Sequence, residues 1–252
     1  MPKWRTVAFD SASELARLYF SKKLGKSSGD FEKIRSMSDY NDVTERLNML
    51  IRRIKNLRDQ GTEVVFTAHE DMQKVFAKGS AMSKGNNEPI AIKGWPDLPG
   101  SRVPDEFCRA ADNVFRVRHV NGKPVAVANR EVLGDGGYWE VKDRFNAKAV
   151  NGGYLPLDYN EIAVMTQKTP TATWSPSYIW VFYGPFGIGK TRALLTFPRP
   201  LLLFDLDRGV KSIEGDVKKL NDETPGSFTI SSYDVEDCKE YERFIKEVAA
   251  CF

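Results

Sequence analysis

The sequence predicts an α/β fold with a central, mostly parallel sheet flanked by helices and an antiparallel meander at one edge. Three observations favour this class. Short apolar segments run directly into segments with helical spacing, one β-branched run is typical of a strand buried on both faces, and a glycine-rich loop joins a strand to a helix. With 252 residues, 41% of them hydrophobic, the chain is expected to form one domain over residues 1–252.

The alternation of predicted strands and helices begins at the first strand. Residues 6–9 form an apolar segment that ends at Asp10, and residues 11–20 continue it with helical spacing. From residue 43 onwards the apolar positions recur at helical intervals opposite a basic face, which predicts a long amphipathic helix. Residues 63–68 (EVVFTA) are the β-branched run, and we expect them to be a buried parallel strand.

The later segments differ in character. Residues 78–102 contain four glycines and three prolines, which predict a long loop. Three strands separated by glycine-containing turns predict the meander, at residues 113–120, 124–131 and 138–142. The last part of the chain predicts further strands at 178–183, 200–205 and 228–232, and helices at 191–196 and 235–250.

Composition excludes several classes of protein. No apolar run approaches the roughly 20 residues of a membrane span, and the first residues lack the apolar core of a signal peptide, so we expect a soluble, cytoplasmic protein without membrane contact. The three cysteines include no CxxC pair, which argues against a disulfide framework or a zinc site. The formal net charge of +3 is too small to identify a partner.

The strongest motif is a GxxxxGK[ST] loop between a predicted strand and a predicted helix. The loop and the residue after it are Gly184, Pro185, Phe186, Gly187, Ile188, Gly189, Lys190, Thr191 and Arg192. Glycines allow successive backbone N–H groups to converge on phosphate oxygens at the positive end of the helix dipole. Lys190 is expected to reach the β- and γ-phosphates and Thr191 to ligate Mg²⁺, so the predicted cofactors are ATP and Mg²⁺.

A P-loop also needs a carboxylate on a neighbouring strand to support the metal. We find no convincing candidate downstream of the loop, whereas Asp10 stands at the carboxyl end of an apolar strand. Its chemistry fits, although it precedes the loop in the chain. We therefore hypothesise a circular permutation in which residues 165–252 correspond to the parental amino-terminal part and residues 3–164 to the parental carboxyl-terminal part. The hypothesis requires Asp10 to lie close to Lys190.

Read in the permuted order, nearly the whole chain resembles the phage-encoded RecA-like core ATPases, relatives of RecA and of DnaB-type ring helicases. The resemblance identifies residues 184–191 with Walker A and Asp10 with the Walker B carboxylate, which holds Mg²⁺ through water. Asp207 stands where the family usually carries a catalytic glutamate that polarises the attacking water. Glu14 is an alternative base, and a turn or helix cap is the alternative role for Asp207.

Two further sites are implied by the resemblance. His69, directly after the 63–68 strand, corresponds to the sensor that reads the γ-phosphate, with an ordinary core histidine as the alternative. Lys142 and Arg144 resemble the KxR finger that these ATPases insert into the nucleotide site of a neighbouring subunit, and an exposed charged strand is the alternative. The finger implies a homo-oligomer, a hexameric ring or a filament.

The predicted loop at residues 78–102 occupies the place of the DNA-binding loop in RecA relatives. Cations and an aromatic ring suit single-stranded DNA, because its backbone needs positive charge and its bases stack on aromatic rings. The candidate residues are Lys78, Lys84, Lys93, Trp95 and Arg102. The alternative is a flexible lid without a ligand.

Two classes of function follow from these motifs. The first is an ATPase that depends on DNA, with a role in recombination, single-strand annealing or DNA movement. The second is a nucleotide-gated switch or scaffold ATPase to which DNA is irrelevant. A P-loop kinase is a weaker alternative, because no arginine-rich lid over an acceptor site is evident in the sequence.

Overall fold

The computed structural model describes residues 3–24, 37–75, 91–99, 102–132, 137–144, 151–166 and 177–252. The described strands are β1 (Thr6–Asp10), β2 (Glu63–Ala68), β3 (Glu70–Val75), β4 (Ala91–Pro96), β5 (Asn113–Val120), β6 (Lys123–Val127), β7 (Tyr138–Trp139), β8 (Lys142–Asp143), β9 (Tyr154–Pro156), β10 (Ile179–Tyr183), β11 (Leu201–Asp205) and β12 (Phe228–Ser232). The described helices are α1 (Ala12–Leu24), α2 (Met37–Asp59), α3 (Arg102–Ala110), α4 (Tyr159–Thr166), α5 (Lys190–Ala193), α6 (Glu214–Glu223) and α7 (Glu240–Ala249).

The main sheet contains nine strands within the described residues. Its order is β12-β11-β1-β2-β10-β5-β6-β9, with β8 paired to β5 outside this path. The six strands from β12 to β5 are parallel, and the pairs of β5 with β6 and of β6 with β9 are antiparallel. The predicted mostly parallel sheet is confirmed, and β10, which leads into the glycine-rich loop, is separated from β1 by β2 alone.

Alternating side chains of the central strands pack on opposite faces of the sheet. Val7 and Phe9 belong to one apolar cluster, which also contains side chains of α1, α2, α3 and α7. Ala8 belongs to the other cluster, together with side chains of α4 and α6. Every residue of β1, β2, β10 and β11 is buried. Burial on both faces explains the continuous apolar runs in the sequence, because neither face of these strands meets water.

The predicted meander is correct only for its first two strands. β5 and β6 form the expected hairpin. The third predicted strand, at residues 138–142, is divided: Tyr138–Trp139 pairs with β4 in a separate three-stranded sheet, and Lys142–Asp143 pairs with the start of β5. β9 takes the outer position beside β6. The Trp139 ring explains the division, since it packs against Gly94 of β4, where an added Cβ would lie 2.1 Å from the ring.

The predicted loop at residues 78–102 is wrong in its second half. Residues 91–96 form β4, antiparallel to β3, and α3 begins at Arg102. Trp95 is only 4% exposed. Lys93 is buried as well, and its ammonium lies 3.1 Å from a carboxylate oxygen of Glu140 and 3.5 Å from one of Asp105. Their burial argues against contact with DNA, and the DNA-binding role of this segment stays a prediction. Lys78, Lys84 and the side chain of Arg102 lie outside what the structure describes.

Several elements lie beyond the sequence predictions. The predictions omitted β3, β9, α3, α4 and α6, and the final helix begins at Glu240 instead of residue 235. The predicted strands at residues 63–68 and 228–232 match the structure in full. No helix in the described part of the chain combines the length and apolar character needed to cross a membrane.

Candidate active site

The candidate site lies at the carboxyl edge of the parallel strands. A cavity of about 420 Å³ opens there between the glycine-rich loop and the segment that follows β11. The loop side contributes residues 186–192, and the opposite side contributes Asp207, Arg208 and Gly209. Asp10 and His69 form its floor and one wall, at the ends of β1 and β2. Open α/β sheets commonly bind ligands at this edge.

Two glycines of the loop have roles that other residues cannot fill. Gly189 has φ +102°, in the left-handed region, directly before the first residue of α5. Gly184 approaches the backbone of β5 so closely that an added Cβ would lie 2.3 Å from the carbonyl oxygen of Val117. The loop can therefore turn back sharply from β10 and direct its N–H groups into the cavity.

Lys190 is held inside this turn. The residue is 7% exposed, and its ammonium donates hydrogen bonds to the carbonyl oxygens of Gly184, at 2.9 Å, and Pro185, at 2.7 Å. Burial lowers the pKa of the lysine, whereas the charges of Asp10 and Asp207 oppose that shift. The loop carbonyls thus fix the ammonium at the cavity, where an anionic ligand can meet it.

Asp10 contacts the P-loop directly. Its Oδ2 accepts a hydrogen bond from the Thr191 hydroxyl at 2.7 Å, and its Oδ1 accepts a short one from the Thr67 hydroxyl. Thr67 lies beside Asp10 because β1 and β2 are parallel, with Phe9 opposite Phe66. The sequence hypothesis required Asp10 to lie near the loop, and this proximity is confirmed.

The environment of Asp10 is strongly acidic. The residue is 1% exposed, and burial, with the neighbouring charge of Asp207, raises its pKa to about 7. Asp10, Asp205 and Asp207 each offer one carboxylate oxygen, and these three oxygens lie within 4.8 Å of one another. In the described part of the chain, this is the one cluster of acidic, histidine or cysteine side chains that could hold a metal ion. Such a cluster favours a divalent cation, because carboxylate oxygens are the preferred ligands of Mg²⁺.

Gly209 packs closely against the carboxylates and the P-loop. A Cβ added at this position would lie 2.7 Å from Oδ1 of Asp207 and 3.0 Å from both Asp10 Oδ2 and Thr191 Oγ1. Three oxygens from three separate segments therefore converge beside the Cα atom of a residue without a side chain. The residues present fit a Mg²⁺ ion.

The two other predicted groups of the site are placed differently. His69 lines the cavity with Nε2 at 3.8 Å from Asp207 Oδ2, and its ring stacks on the exposed ring of Phe186 at a centroid distance of 6.1 Å. Burial and the charge of Lys190 lower the pKa of His69, which favours the neutral ring. Glu14 lies on α1 and is ion-paired with Arg17 at 3.1 Å, so Asp207 is the better placed carboxylate.

Arg192 marks the outer part of the cavity. It lines the cavity on the loop side, and its guanidinium forms an exposed ion pair with Asp216 of α6 at 2.8 Å. Arg208 and Lys211 line the opposite side. Positive side chains therefore line the cavity on both sides, together with the carboxylates of Asp10 and Asp207.

Lys142 and Arg144 are not brought to this cavity. β8 pairs with the first residues of β5, at the opposite edge of the sheet. The Lys142 ammonium donates hydrogen bonds to the carbonyl oxygens of Arg109, at 2.8 Å, and Ala111. Arg144, whose side chain is 57% exposed, pairs with Asp112 at 2.6 Å. Within this chain both cations contact groups at the end of α3. Their predicted role in a neighbouring subunit stays a prediction.

Sequence reasoning missed Thr67 and Gly209 as parts of the site. Thr67 is the polar residue near the end of an apolar strand, and a parallel neighbour ending at Asp10 makes it a hydrogen-bond donor to that carboxylate. Gly209 is the first glycine after β11, and its N–H donates a hydrogen bond to Oδ1 of Asp207 at 2.8 Å. The sequence offered one signal for each: Thr67 is a polar position in an apolar strand, and Gly209 follows a pair of aspartates.

Comparison with known families identifies the chain. A family model described as an AAA domain matches residues 2–142, more than half of the chain. The chain belongs to the AAA domain family of P-loop ATPases. This AAA domain protein carries its P-loop at residues 184–191, outside the matched residues. Comparisons with curated proteins and with solved structures give no significant match.

The family accounts for the chemistry at the edge of the sheet. AAA domains bind nucleotide, typically together with Mg²⁺. In this AAA domain protein the matched segment contributes Asp10, Thr67 and His69, and the unmatched segment contributes Lys190 and Thr191. The site is therefore assembled from both parts of the chain.

Proposed function

We propose that the chain binds ATP and Mg²⁺ in the cavity at the sheet edge and hydrolyses ATP to ADP and phosphate. The 2.7 Å hydrogen bond between Thr191 and Asp10 carries the proposal, since it joins the end of the P-loop to a buried carboxylate. Thr191 and Asp10 would hold the metal, which neutralises charge on the phosphates. Lys190 stabilises the transferring phosphoryl group, and Asp207 orients the attacking water with His69 beside it.

Lys190→Ala tests this activity. We expect ATP hydrolysis and nucleotide binding to be lost, because the variant removes the cation that the loop carbonyls hold at the cavity. Lys219→Ala removes an exposed lysine on α6 and serves as the control, with unchanged hydrolysis. Wild-type hydrolysis by the Lys190→Ala protein would refute the proposal.

We also propose a RecA-like core of phage type that is circularly permuted. The sheet order supports this, because β10 and β1 flank β2 although β10 follows both in the chain. The family match supports it as well, since the matched segment precedes the P-loop. A protein with the order 165–252 then 3–164, joined by a short linker, should hydrolyse ATP as the present chain does. Failure of a folded rearranged protein to bind nucleotide would contradict the permutation.

We propose that the active form is a homo-oligomer, a hexameric ring or a filament, with Arg144 acting on a neighbouring nucleotide. Its guanidinium is largely exposed and stands on the edge of the sheet opposite the P-loop of its own chain. Mixing Arg144→Ala with Lys190→Ala subunits tests the idea. Each variant should be inactive alone, and the mixture should regain hydrolysis. Normal hydrolysis by Arg144→Ala alone would refute the role of Arg144.

We propose two alternatives for the role of ATP hydrolysis: an ATPase that depends on single-stranded DNA, and one that acts without DNA. Recombination, strand annealing or DNA movement would use cations of the 78–102 segment. The burial of Lys93 and Trp95 favours the second function, a nucleotide-gated switch or scaffold without DNA. Rates of ATP hydrolysis with and without single-stranded DNA separate the two. Stimulation by DNA that is lost in Lys78→Ala/Lys84→Ala supports the first, and an unchanged rate supports the second.

A further inference from the structure

Arg208 lies between two residues that belong to the candidate active site. Asp207 precedes it and brings Oδ2 to 3.8 Å from Nε2 of His69. Gly209 follows it and packs against the carboxylate of Asp10. Arg208 itself lines the cavity together with both of its neighbours. Its side chain therefore starts on the wall of the cavity that faces the P-loop.

The backbone at Arg208 has an uncommon conformation for a residue with a long side chain. Its φ of 61° and ψ of 21° lie in the left-handed region. Asn121 is the other described residue besides glycine with a positive φ, and it lies in the Asn-Gly turn between β5 and β6, where this conformation is favoured. At Arg208 the turn allows the Gly209 amide to donate a 2.8 Å hydrogen bond to Asp207 Oδ1. It also explains why two consecutive side chains line one cavity, since an extended chain would direct them to opposite sides.

The partner of Arg208 in this structure holds its guanidinium only weakly. A guanidinium nitrogen lies 3.2 Å from Oδ2 of Asp234, and the two side chains are 63% and 48% exposed. Exposed ion pairs contribute little to stability, because water solvates both charges when they separate. A phosphate group carries more negative charge, and its oxygens match the two-pronged geometry of a guanidinium. Arg208 can therefore exchange Asp234 for a phosphate group at small cost.

We propose that Arg208 leaves Asp234 when Mg²⁺-ATP binds and contacts the γ-phosphate held by its own chain. The inference rests on the proposed ATP hydrolysis and adds a catalytic residue that acts within one subunit, unlike Arg144. In hydrolysis the water oxygen bonds to the γ-phosphorus, and the bond from this phosphorus to the bridging oxygen breaks. ADP leaves with that electron pair, and the other products are hydrogen phosphate and a proton released to solvent. The guanidinium stabilises the negative charge of the transferring phosphoryl group in the transition state.

The kinetics of Arg208→Gly test the proposal. Glycine adopts a left-handed backbone readily, so the turn is kept while the guanidinium is lost. We expect kcat/KM for ATP hydrolysis to fall at least about a hundredfold, mostly through kcat, because the contact strengthens in the transition state. The affinity for ADP, measured by isothermal titration calorimetry, should change by less than about twofold, because ADP lacks the γ-phosphate. A similar loss of ADP affinity would indicate a structural role for Arg208 and overturn the proposal.

Asp234→Asn is the matched control, because it breaks the same ion pair and leaves the guanidinium in place. Asparagine keeps Oδ1, the atom that accepts a 3.0 Å hydrogen bond from the Glu236 amide. Hydrolysis by Asp234→Asn should equal or exceed the wild-type rate. A loss as large as that in Arg208→Gly would assign the effect to the ion pair and overturn the proposal.

Mixing subunits distinguishes this role from the one proposed for Arg144. Arg208→Gly and Lys190→Ala subunits should stay inactive together, because neither carries a complete site of its own. Regained hydrolysis in the mixture would place Arg208 on a neighbouring nucleotide and overturn its assignment to its own chain. Normal hydrolysis by Arg208→Gly would overturn the inference and leave the proposed function intact, whereas a wild-type protein without ATP hydrolysis would refute both.

Discussion

Thr191 donates a 2.7 Å hydrogen bond to Asp10, a residue 181 positions earlier in the chain. The sheet makes this contact possible, because β2 alone separates β1 from β10 and all three strands are parallel. The carboxyl ends of these strands therefore meet at one edge. The contact joins the P-loop to the segment that the AAA domain model matches, so neither segment forms the site alone.

Asp10→Asn should separate activity from stability. The change removes a metal ligand, and we expect ATP hydrolysis to fall by at least about a hundredfold. Without metal, burial and the charge of Asp207 both disfavour the ionised carboxylate of Asp10, and they raise its pKa to about 7. The neutral amide of asparagine avoids both costs. Thermal unfolding in EDTA at pH 8 should then occur at the same or a higher temperature than in the wild type.

The Asp10→Asn experiment needs one control and has one contrary outcome. Asp59→Asn, at the end of α2, should change neither hydrolysis nor the unfolding temperature. Hydrolysis by Asp10→Asn within twofold of the wild-type rate would contradict the assignment of Asp10 to the metal.

The contiguous part of the site was predictable from the sequence, whereas the part built by strand pairing was not. The P-loop could be recognised because its glycines, lysine and threonine are consecutive and lie between a strand and a helix. Thr67 meets Asp10 only through the register of β1 with β2. Gly209 meets Asp10 only because β11 ends beside β1.

The same limit explains the errors in the fold. β4 contains lysine, glycine, tryptophan and proline in succession, a composition typical of a loop. Partners distant in sequence stabilise it: Glu140 pairs with Lys93, and the Trp139 ring packs where Gly94 has no side chain. No pattern in the local sequence predicts those contacts. The strands with continuous apolar runs, such as β2, were predicted correctly because burial on both faces is visible in composition.

Glu63→Gln should flatten the dependence of stability on pH. Burial raises the pKa of Glu63 from 4.5 to about 7, although its carboxylate accepts a 2.7 Å hydrogen bond from Trp180 Nε1. The folded chain thus retains a proton that the unfolded chain releases near pH 4.5. The stabilisation from this proton is complete below pH 4.5 and is lost as the pH rises through 7, a loss of about 3 kcal/mol.

Denaturant unfolding at pH 5 and pH 8, in EDTA, measures this effect. The free energy of unfolding of the wild type, relative to Glu63→Gln, should fall by about 2.5 kcal/mol between the two values, because part of the stabilisation is already lost at pH 5. Glu236→Gln, at an exposed position, should retain the wild-type dependence. Parallel pH profiles for the wild type and Glu63→Gln would show that Glu63 is ionised throughout.

Lys142→Ala should reduce stability more than Arg144→Ala does. Lys142 donates hydrogen bonds to one backbone carbonyl in the last turn of α3 and one directly after it, where a cation also meets the negative end of the helix dipole. Its loss should reduce the free energy of unfolding by about 2 kcal/mol. Arg144 is exposed, and its partner Asp112 keeps a 2.9 Å hydrogen bond from the Ile179 amide, so its loss should cost less than about 1 kcal/mol.

Chemical denaturation of the two variants and the wild type provides the comparison. Equal losses would mean that the α3 carbonyls find other donors, and the structural role assigned to Lys142 would be wrong. A larger loss in Arg144→Ala would instead assign that role to the ion pair with Asp112.

Gly209→Ala should abolish activity without unfolding the protein. The added Cβ would lie 2.7 Å from Asp207 Oδ1 and 3.0 Å from Asp10 Oδ2, so these carboxylates would have to move. The backbone at this position lies outside the left-handed region, and alanine is tolerated there. We expect hydrolysis to fall by at least about a hundredfold, while the free energy of unfolding falls by no more than about 2 kcal/mol because the displaced atoms are side-chain ends.

Gly215→Ala is the matched control for this substitution. Gly215 lies in the first turn of α6, and an added Cβ would have nothing within 4 Å. Alanine should stabilise the helix by about 0.5 kcal/mol and leave hydrolysis unchanged. If Gly209→Ala hydrolyses ATP at the wild-type rate, the positions of Asp10, Asp207 and Thr191 beside Gly209 are not critical for hydrolysis.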